Sequence, residues 1–463
     1  MAAEGGETRA PVFGVVNLGC PKNTVDTERL MADMALAGFV YAEDPADADV
    51  CIVNTCGFLA SARAEAAETL RALAAGSGAL LVATGCLVER AGGEPDLGEA
   101  LRWADALVGF GDYPRLPEIC ASLLRGRRGG GASAAAGFRR KGLPKRYLDW
   151  LEGPRLLSGA GHLAFLKLGE GCSNHCAYCA IPLIRGERRS RPPEAVLREA
   201  AELSAAGVKE LSVIAQDTTA YGLDRGGAWL PDLIRRLPQA APKVRWFRLL
   251  YAHPRHLSDE VLAALAAEKR FVRYVDLPLQ HATDRMLSRM GRGVSRADVD
   301  SRLAAVRRIW GKDAAIRTTF IAGHPGERPE DAAALRDFVR ESGFEAMGAF
   351  VYSPEPGTLS ARMPDVVPAA EAERRAAALY AVQRQVWRAR AAARLGKTVP
   401  AMLDARIPGG WRGHLPWQMP GEDGCVRVKM PRPAADRAKP GDILRVRLLA
   451  ARFPAYSAAP ATP

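Results

Sequence analysis

Short runs of aliphatic and β-branched residues punctuate the start of the chain at Val12 to Leu18, Val50 to Val53 and Leu80 to Ala83, with a weaker run near Ala106 to Gly109. Between them apolar residues recur at helical spacing: Leu30, Met31 and Met34, then Ala64, Ala67, Leu70 and Leu73. Brief apolar runs alternating with a 3.6-residue period predict a parallel α/β sheet with helices on its faces. A cysteine follows each of the three main strands almost at once: Cys20 in VNLGCPKN, Cys56 in VNTCGF and Cys86 in ATGCL. The carboxyl ends of the strands in an open parallel sheet share one edge, where ligands bind, so three residues distant in sequence can meet there.

From His162 the alternation resumes with a longer period. Strands are predicted at Leu163 to Leu168, Leu211 to Ala215, Val244 to Tyr251, Val272 to Leu277, Ile316 to Ile321 and Ala346 to Tyr352. Helical patterns lie between them: Val196, Ala200 and Leu203; Val261, Leu262 and Leu265; Val299, Leu303, Val306 and Trp310; Leu335, Phe338 and Val339. Ser258 before Asp259 and Glu260, and Ser295 with Asp298 three residues on, read as helix starts. Six βα units suit an incomplete barrel, a partial (β/α)6 fold with its reactive face at the carboxyl ends of the strands. Glu371 to Leu395 reads as one long helix, and the short alternating runs CVRVKM and ILRVRLL, separated by Pro and Gly, predict a small closing β-barrel. The fold class is therefore α/β in three parts, with expected bounds of 10–125 for the leading domain, 159–393 for the barrel domain and 394–456 for the last. The span 126–158 is expected as a linker. Its first part, GRRGGGASAAAG with eight Lys or Arg and no acid between Arg125 and Arg146, suits a solvated tether, or one that lies on RNA.

Composition narrows the class. With 463 residues, 48% hydrophobic and 25% charged, wholesale disorder and fibrous repeats are excluded. No run approaches the ~18 apolar residues of a membrane span, and Met1 to Arg9 is polar with no apolar signal core, so a cytoplasmic protein with no membrane partner is expected. Sixty-four Lys and Arg against 52 Asp and Glu give a net charge of +12, which favours an anionic partner. Between Cys425 and Arg452 eight Lys or Arg face two Asp, a basic face that is either solvated or a polyanion contact. Nine cysteines, an odd number, argue against a disulfide scaffold and for metal or catalytic use.

The sharpest local signal is GEGCSNHCAYCAIP, in which Cys172, Cys176 and Cys179 form C-x-x-x-C-x-x-C after the first barrel strand. Three thiolates in eight residues can wrap an iron-sulfur cubane and leave its fourth iron free of protein. The alternative is zinc, which ordinarily takes two ligand pairs; no second pair follows, and His175 lies too close to Cys176 to complete a tetrahedron easily.

This motif at the end of a first barrel strand resembles the radical S-adenosylmethionine (SAM) enzymes. Tyr178 matches the aromatic residue usual between the last two cysteines, and Glu170 and Arg185 are expected to be structural or SAM-orienting. Preceded by Cys20, Cys56 and Cys86 in a separate domain, the motif is similar to that of the radical SAM methylthiotransferases. That resemblance covers nearly the whole chain and implies a TRAM-like last domain, two 4Fe-4S clusters and SAM as cofactors. Cluster one would be held by Cys20, Cys56 and Cys86, and the SAM-bound cluster two by Cys172, Cys176 and Cys179. Cys51, Cys120 and Cys425 are left over and read as structural.

Local wording selects a branch of the family. LGCPKNTVDTERL, VNTCGF and IAQDTTAYG, the last with Gln216, Asp217 and Tyr221, resemble the branch that methylthiolates an aspartate of the twelfth protein of the small ribosomal subunit. The tRNA branch typically reads GCQMN and GQNVNAY. LPLQHATDRMLSRMGRG and TTFIAGHPGE fit the later barrel strands, and position alone puts Gln280, His281 and Arg317 near the SAM pocket. Tyr178, Gln216, Gln280 and Arg317 are thus the expected cofactor contacts beyond the cysteines. The implied chemistry is methylation of sulfur at cluster one by one SAM, cleavage of a second at cluster two, and hydrogen abstraction from the aspartate β-carbon, with no side chain required as acid or base. Partners implied are that ribosomal protein, on or near the small subunit, an electron donor, and RNA through the linker and last domain. The competing readings are a tRNA adenosine methylthiotransferase and a non-catalytic RNA-binding iron-sulfur protein. His324 replaces the usual Phe of GFPGE, as a change in the pocket wall, and RGHLPWQMPGEDGCVRV departs from the usual TRAM wording.

Overall fold

In the computed structural model, which describes residues 9–91, 95–128, 146–311 and 313–461, the leading apolar runs form a five-stranded parallel sheet. Its strands are β1 (Val12–Asn17), β2 (Val40–Tyr41), β3 (Val50–Thr55), β4 (Leu80–Gly85) and β5 (Ala106–Val108), in the order β2-β1-β3-β4-β5. Both faces are covered. Val50 and Ile52 of β3 pack with Phe13, Leu30, Met34 and Val82 on one side, while Cys51 and Val53 pack with Ala66, Leu70 and Leu87 on the other. Strands buried on both faces lose the polar alternation of a half-exposed sheet, which is why they read as continuous apolar runs. Helices α1 (Pro21–Leu36), α2 (Ala60–Gly76), α3 (Cys86–Ala91) and α4 (Leu116–Arg128) complete this layer. Pairing of Asn17 with Asn54 and of Thr55 with Gly85 aligns the carboxyl ends of β1, β3 and β4 at one edge.

The span expected as a linker ends in a structured element. Residues 129–145, the Gly-rich stretch, lie outside the described residues, but α5 (Arg146–Trp150) is a helix whose Tyr147 and Trp150, followed by Leu151, are buried in the core of the leading domain. The basic, Gly-rich stretch just before it hid this anchor, because Tyr147, Leu148, Trp150 and Leu151 form too short a run to register as an amphipathic helix.

The central domain begins with β6 (Leu163–Lys167), a two-residue hairpin pair β7 (Gly169–Glu170) and β8 (Arg189–Ser190), and the short helix α6 (Ile181–Arg185) between them. Strands β9 (Glu210–Ile214), β10 (Trp246–Leu249), β11 (Phe271–Asp276), β12 (Ala315–Ala322) and β13 (Ala346–Val351) follow, and the parallel sheet runs β6-β9-β10-β11-β12-β13 in chain order. The two edges do not pair with each other, so the barrel is open along one seam. Helices α7 (Pro193–Ala205), α8 (Leu230–Ala240), α9 (Asp259–Ala267), α10 (Asp284–Arg289), α11 (Arg296–Trp310) and α12 (Pro329–Ser342) connect the strands. Ser258 caps α9 by accepting the Val261 N–H, and Ser295 with Asp298 forms a capping box on α11. Helix α8 was absent from the pattern reading: LPDLIRRLPQA carries Pro231 and Pro238, yet both sit in terminal turns where a missing N–H or a tight bend is tolerated.

Helix α13 (Ala369–Ala392) leads to a closed barrel of β14 (Thr398–Ile407), β15 (Gly410–His414), β16 (Val426–Lys429), β17 (Ile443–Arg452) and β18 (Ala455–Pro460), ordered β14-β15-β16-β18-β17, with α14 (Arg432–Arg437) beside it. Strand β18 runs past the expected end at 456. Its AYSAAP wording lacks the β-branched residues that announce a strand, and pairing on both sides holds it instead.

The leading domain touches both edges of the open barrel. Beside β6, Arg155 pairs with Glu28 of α1 at 2.6 Å and donates to the Phe165 carbonyl at 2.7 Å. Beyond β13, the buried carboxylate of Glu355 accepts from Arg90 of α3 at 2.7 Å and from the Ala60 N–H at 3.1 Å.

Candidate active site

Cys20 is the N-cap of α1, with Pro21 at the first helical position; Cys56 follows β3, and Cys86 opens α3 directly after β4. Strand ends have thus become three sulfur donors on one edge. The Cys56 thiol feels both Cys86 and Cys20 electrostatically, and Cys86 feels Cys20, which places the triad in mutual range. The backbone is shaped to let them meet. A Cβ on Gly57 would stand 2.7 Å from the Cys86 carbonyl oxygen, so the loop after Cys56 closes only with glycine there. Burial pushes the Cys56 thiol up to about 12 and raises Cys86, while Arg185 pulls both down.

Cys172, Cys176 and Cys179 lie in the loop between β7 and α6, again all within electrostatic range of one another. Burial raises Cys172 to about 11 and Cys179 to about 12. Gly171, at φ +79° with its Cβ direction 2.1 Å from the Glu187 carbonyl oxygen, admits no side chain before the first cysteine. His175, inside the motif, adopts φ +52°, Tyr251 after β10 φ +59° and Gln280 after β11 φ +72°. Non-glycine residues rarely hold such angles without surrounding constraint, and these three fall in the loops that follow the barrel strands.

Each triad has an arginine. Arg185 donates to the Cys86 sulfur at 3.3 Å, and Arg292 donates to the Cys176 sulfur at 3.3 Å, to the Tyr178 hydroxyl at 3.2 Å and to the Pro278 carbonyl at 2.6 Å. Three thiols, a glycine-shaped loop and a buried cation suit an anionic thiolate-bound cluster, whose irons would convert the protonated thiols to ligands. The zinc alternative wants a fourth protein ligand, and His175 points to none, being exposed.

Beside the first triad a buried ionic network joins the leading domain to the barrel. Asp26 of α1 accepts from Lys167 at 2.7 Å, Tyr147 at 2.7 Å and Arg185 at 2.9 Å; Arg185 also reaches Glu170 at 2.9 Å and Asn23 at 2.9 Å, and Lys167 contacts Glu170. Two acids and two bases, all essentially without solvent exposure, balance in charge. Burial opposes ionisation of Glu170, but Arg185 and Lys167 outweigh it and hold its carboxyl down at about 2. Glu170 and Arg185 were expected as structural or SAM-orienting. They are the joint between the domains, and Asp26, Lys167, Asn23 and Tyr147, which complete it, left no sequence signal because their partners are far away along the chain.

The other expected contacts divide. Gln216 donates to Glu170 and Gln280 bridges Phe320, and the Oε1 atom of each is buried without a partner. Arg317 is ringed by carboxylates, Asp276 at 3.0 Å, Asp423 at 3.1 Å and Glu422 at 3.7 Å, and so belongs to the contact with the last barrel. His281 is fully buried, with Nδ1 accepting the Ala282 N–H and Nε2 3.8 Å from Glu327. His324, expected in the pocket wall, is instead buried behind the cysteine loop: its Nε2 is 2.7 Å from Ser360 Oγ, and the Ser360 N–H donates to the Ala177 carbonyl at 2.8 Å. Cys51 and Cys120 are fully buried in apolar cores, and Cys425 directly precedes β16.

Asp217, His253 and His256 also converge, their ligand atoms within 4.8 Å of one another. His256 Nδ1 is 2.7 Å from Asp217 Oδ2, Asn174 donates to the same oxygen at 2.8 Å, and the Arg255 N–H donates to His253 Nδ1 at 3.2 Å. The last bond leaves the proton on Nε2, so His253 has no lone pair free for a metal. The knot anchors Asn174, and with it the cysteine loop.

Against known proteins, the open barrel and its cysteine loop match the radical SAM superfamily over residues 166–339, and the leading sheet matches an uncharacterized protein family, UPF0004, over residues 13–109. The fold is shared with the radical SAM methyltransferase TsrM from Kitasatospora setae, at a TM-score of 0.52 and 16% identity over 75% of each chain. The site and fold therefore define a radical SAM protein with a cysteine-bearing leading domain. Ribosomal protein uS12 methylthiotransferase RimO from Symbiobacterium thermophilum is 38% identical over 94% of this chain and 88% of its own length, and that from Moorella thermoacetica 39% identical over 94% and 95%. The protein of the same name from Geotalea uraniireducens is 43% identical over 76% and 77%. The chain belongs to the family of ribosomal protein uS12 methylthiotransferases.

Proposed function

We propose that this protein is an enzyme that adds a methylthio group to the β-carbon of an aspartate in ribosomal protein uS12. The observation that carries the reading is a pair of cysteine triads, one in the leading domain and one in the barrel, in a chain that aligns with uS12 methylthiotransferases over nearly all its length. In this reading Cys20, Cys56 and Cys86 hold one 4Fe-4S cluster and Cys172, Cys176 and Cys179 hold another, each leaving one iron open. SAM bound at the second would supply the 5'-deoxyadenosyl radical that activates the carbon-hydrogen bond.

The chain's own residues do the remaining work. Arg185 and Arg292, donating to cysteine sulfur, offset the negative charge a thiolate-ligated cluster brings into a buried site. The orphan oxygens of Gln216 and Gln280 suit the ammonium of SAM, and Tyr178, tied to Arg292, lines the cysteine loop. The leading domain covers the open side of the barrel and keeps water from a reactive radical. No side chain is nominated as a proton donor or acceptor.

Reductive cleavage of SAM needs an external one-electron donor. The last barrel supports a contact with ribosomal RNA: Arg427 and Lys429 of β16, and Arg445 and Arg447 of β17, point outward between the buried Val426, Val428, Val446 and Leu448. Such phosphate contacts position a protein without choosing the reacting group. No helix among the described residues is long and apolar enough to cross a membrane, and a ribosomal substrate places the reaction in the cytoplasm. The test is mass spectrometry of uS12 and tRNA from a deletion strain. The aspartate should lose its methylthio group while methylthiolated adenosines persist; loss of the tRNA modification with unaltered uS12 would replace this reading with the tRNA one.

A further inference from the structure

Buried cations in this fold are paired almost without exception. Among the described residues Arg29, Arg90, Lys167, Arg185, Arg191, Arg248 and Arg394 each have a carboxylate within ion-pair distance. Arg292 is spent on Cys176, Tyr178 and a carbonyl. Lys22 is the exception. It lies in the first turn of α1, two residues after Cys20, and is 8% exposed. Among the described residues no carboxylate lies within 4.0 Å of its ammonium, although Cys20, Asp276 and Glu170 act on it electrostatically, and it sits over the ring of Tyr251, 2.9 Å from the centroid.

That contact crosses from the leading domain to the barrel face. Tyr251 follows β10, and its positive φ is held by an N–H bond to Asp276 Oδ2 at 3.1 Å, so a strained backbone presents the ring to Lys22. A ring face attracts an ammonium but cannot neutralise it, and the carboxylates of Asp276 and Glu170 act on it only from beyond ion-pair distance, so burial outweighs them and the charge is left incompletely paired. Cys20, two residues before it, is exposed, so the start of α1 reaches solvent at this end. The ammonium therefore stands beside the first triad, at the mouth of the barrel, with one face committed to an aromatic ring.

We propose that Lys22 binds the side-chain carboxylate of the target aspartate and is the residue that makes this site select an acidic side chain. The proposal rests on the uS12 reading above and adds the recognition element to it. The chemistry fits. The reacting β-carbon is bonded directly to the carboxylate carbon, so an ammonium clamped on the oxygens fixes the β-carbon to within about one bond length, near 1.5 Å, of its pivot. A neutral amide of the same shape would keep the shape and lose the ion pair.

The experiment uses the holoenzyme with both clusters loaded and two labelled peptides spanning the uS12 target loop, one with the aspartate and one with asparagine in its place. Binding is followed by fluorescence anisotropy, and methylthiolation by mass spectrometry. The unaltered enzyme should bind the aspartate peptide at least tenfold more tightly, about 1.4 kcal/mol. Lys22→Met should bring that ratio to near one by weakening the aspartate peptide alone, and Lys22→Arg should restore most of it. An unchanged ratio in Lys22→Met, or no discrimination by the unaltered enzyme, overturns the proposal. Loss of iron in Lys22→Met assigns the residue to the cluster and overturns it equally. Aspartate-selective binding without methylthiolation of the peptide or of intact uS12 would instead count against the uS12 activity, so the two failures are separable.

Discussion

His324 shows what a single polar residue can do behind a reactive loop. Its ring reaches the Pro325 carbonyl at 3.0 Å and Ser360 at 2.7 Å, and through Ser360 it braces Ala177 in the cysteine motif. Phenylalanine would fill the space and leave the buried serine hydroxyl without a partner, at a cost of about 1–3 kcal/mol. His324→Phe should therefore lower the urea midpoint, and adding Ser360→Ala should recover part of the loss. Strictly additive effects of the two changes would show that the bond is not what stabilises the loop. That Cys20, Cys56 and Cys86 come to one sheet edge was legible in the sequence because each follows the end of an apolar strand. Asp26 and Lys167 were not, since ordinary acids and bases acquire meaning only when folding sets them 2.7 Å apart across 141 positions.

At the scale of elements, the last barrel is fastened to the central sheet by His414 at the end of β15. Its Nε2 is 2.8 Å from Glu210, which opens β9, and its Nδ1 is 2.9 Å from Asp404 of β14. Burial disfavours the imidazolium, yet the Glu210 and Asp404 carboxylates outweigh it and raise the histidine to about 9. Glu210 is held down at about 2, again against burial, by Arg248 and His414. A raised histidine stabilises fully below its ordinary value near 6.5 and loses that stabilisation as pH climbs to 9; a depressed carboxylate stabilises above its ordinary value near 4.5 and loses it as pH falls toward 2. The joint is thus strongest between pH 4.5 and 6.5. Unfolding followed by tryptophan fluorescence should show a loss of up to about 3 kcal/mol between pH 6.5 and 9.5, and His414→Gln should flatten that slope. An equal slope in both proteins would remove His414 as its cause. The strands flanking this joint were legible as apolar runs. What escaped were elements whose local wording argues against them: α8 with its two prolines, α5 behind a basic, Gly-rich stretch, and β18, built largely from Ala and Ser.

The whole molecule is a barrel open along one seam, with a second domain laid across it. Arg155 beside β6 and Glu355 beyond β13 fasten that domain at both margins. The architecture keeps the two cysteine triads in different domains, which makes the expected iron content divisible. Anaerobically loaded protein should hold about eight irons. Replacing Cys172, Cys176 and Cys179 by Ala should remove half the iron and all SAM cleavage, whereas replacing Cys20, Cys56 and Cys86 should remove the other half and leave uncoupled cleavage. Full iron in either triple variant would sink the two-cluster assignment.

The two triads also differ in how much of the chain must be folded before they exist. Cys172, Cys176 and Cys179 fall within eight residues and can meet by local folding of one loop, whereas Cys20, Cys56 and Cys86 are gathered only once β1, β3 and β4 have paired. Loop closure over some 30 residues must come first. In the two-cluster reading one centre would begin assembly on nascent chain, while the other would be a product of completed tertiary structure. Any lesion that loosens the leading sheet, however remote from sulfur, strikes first at the triad of Cys20, Cys56 and Cys86.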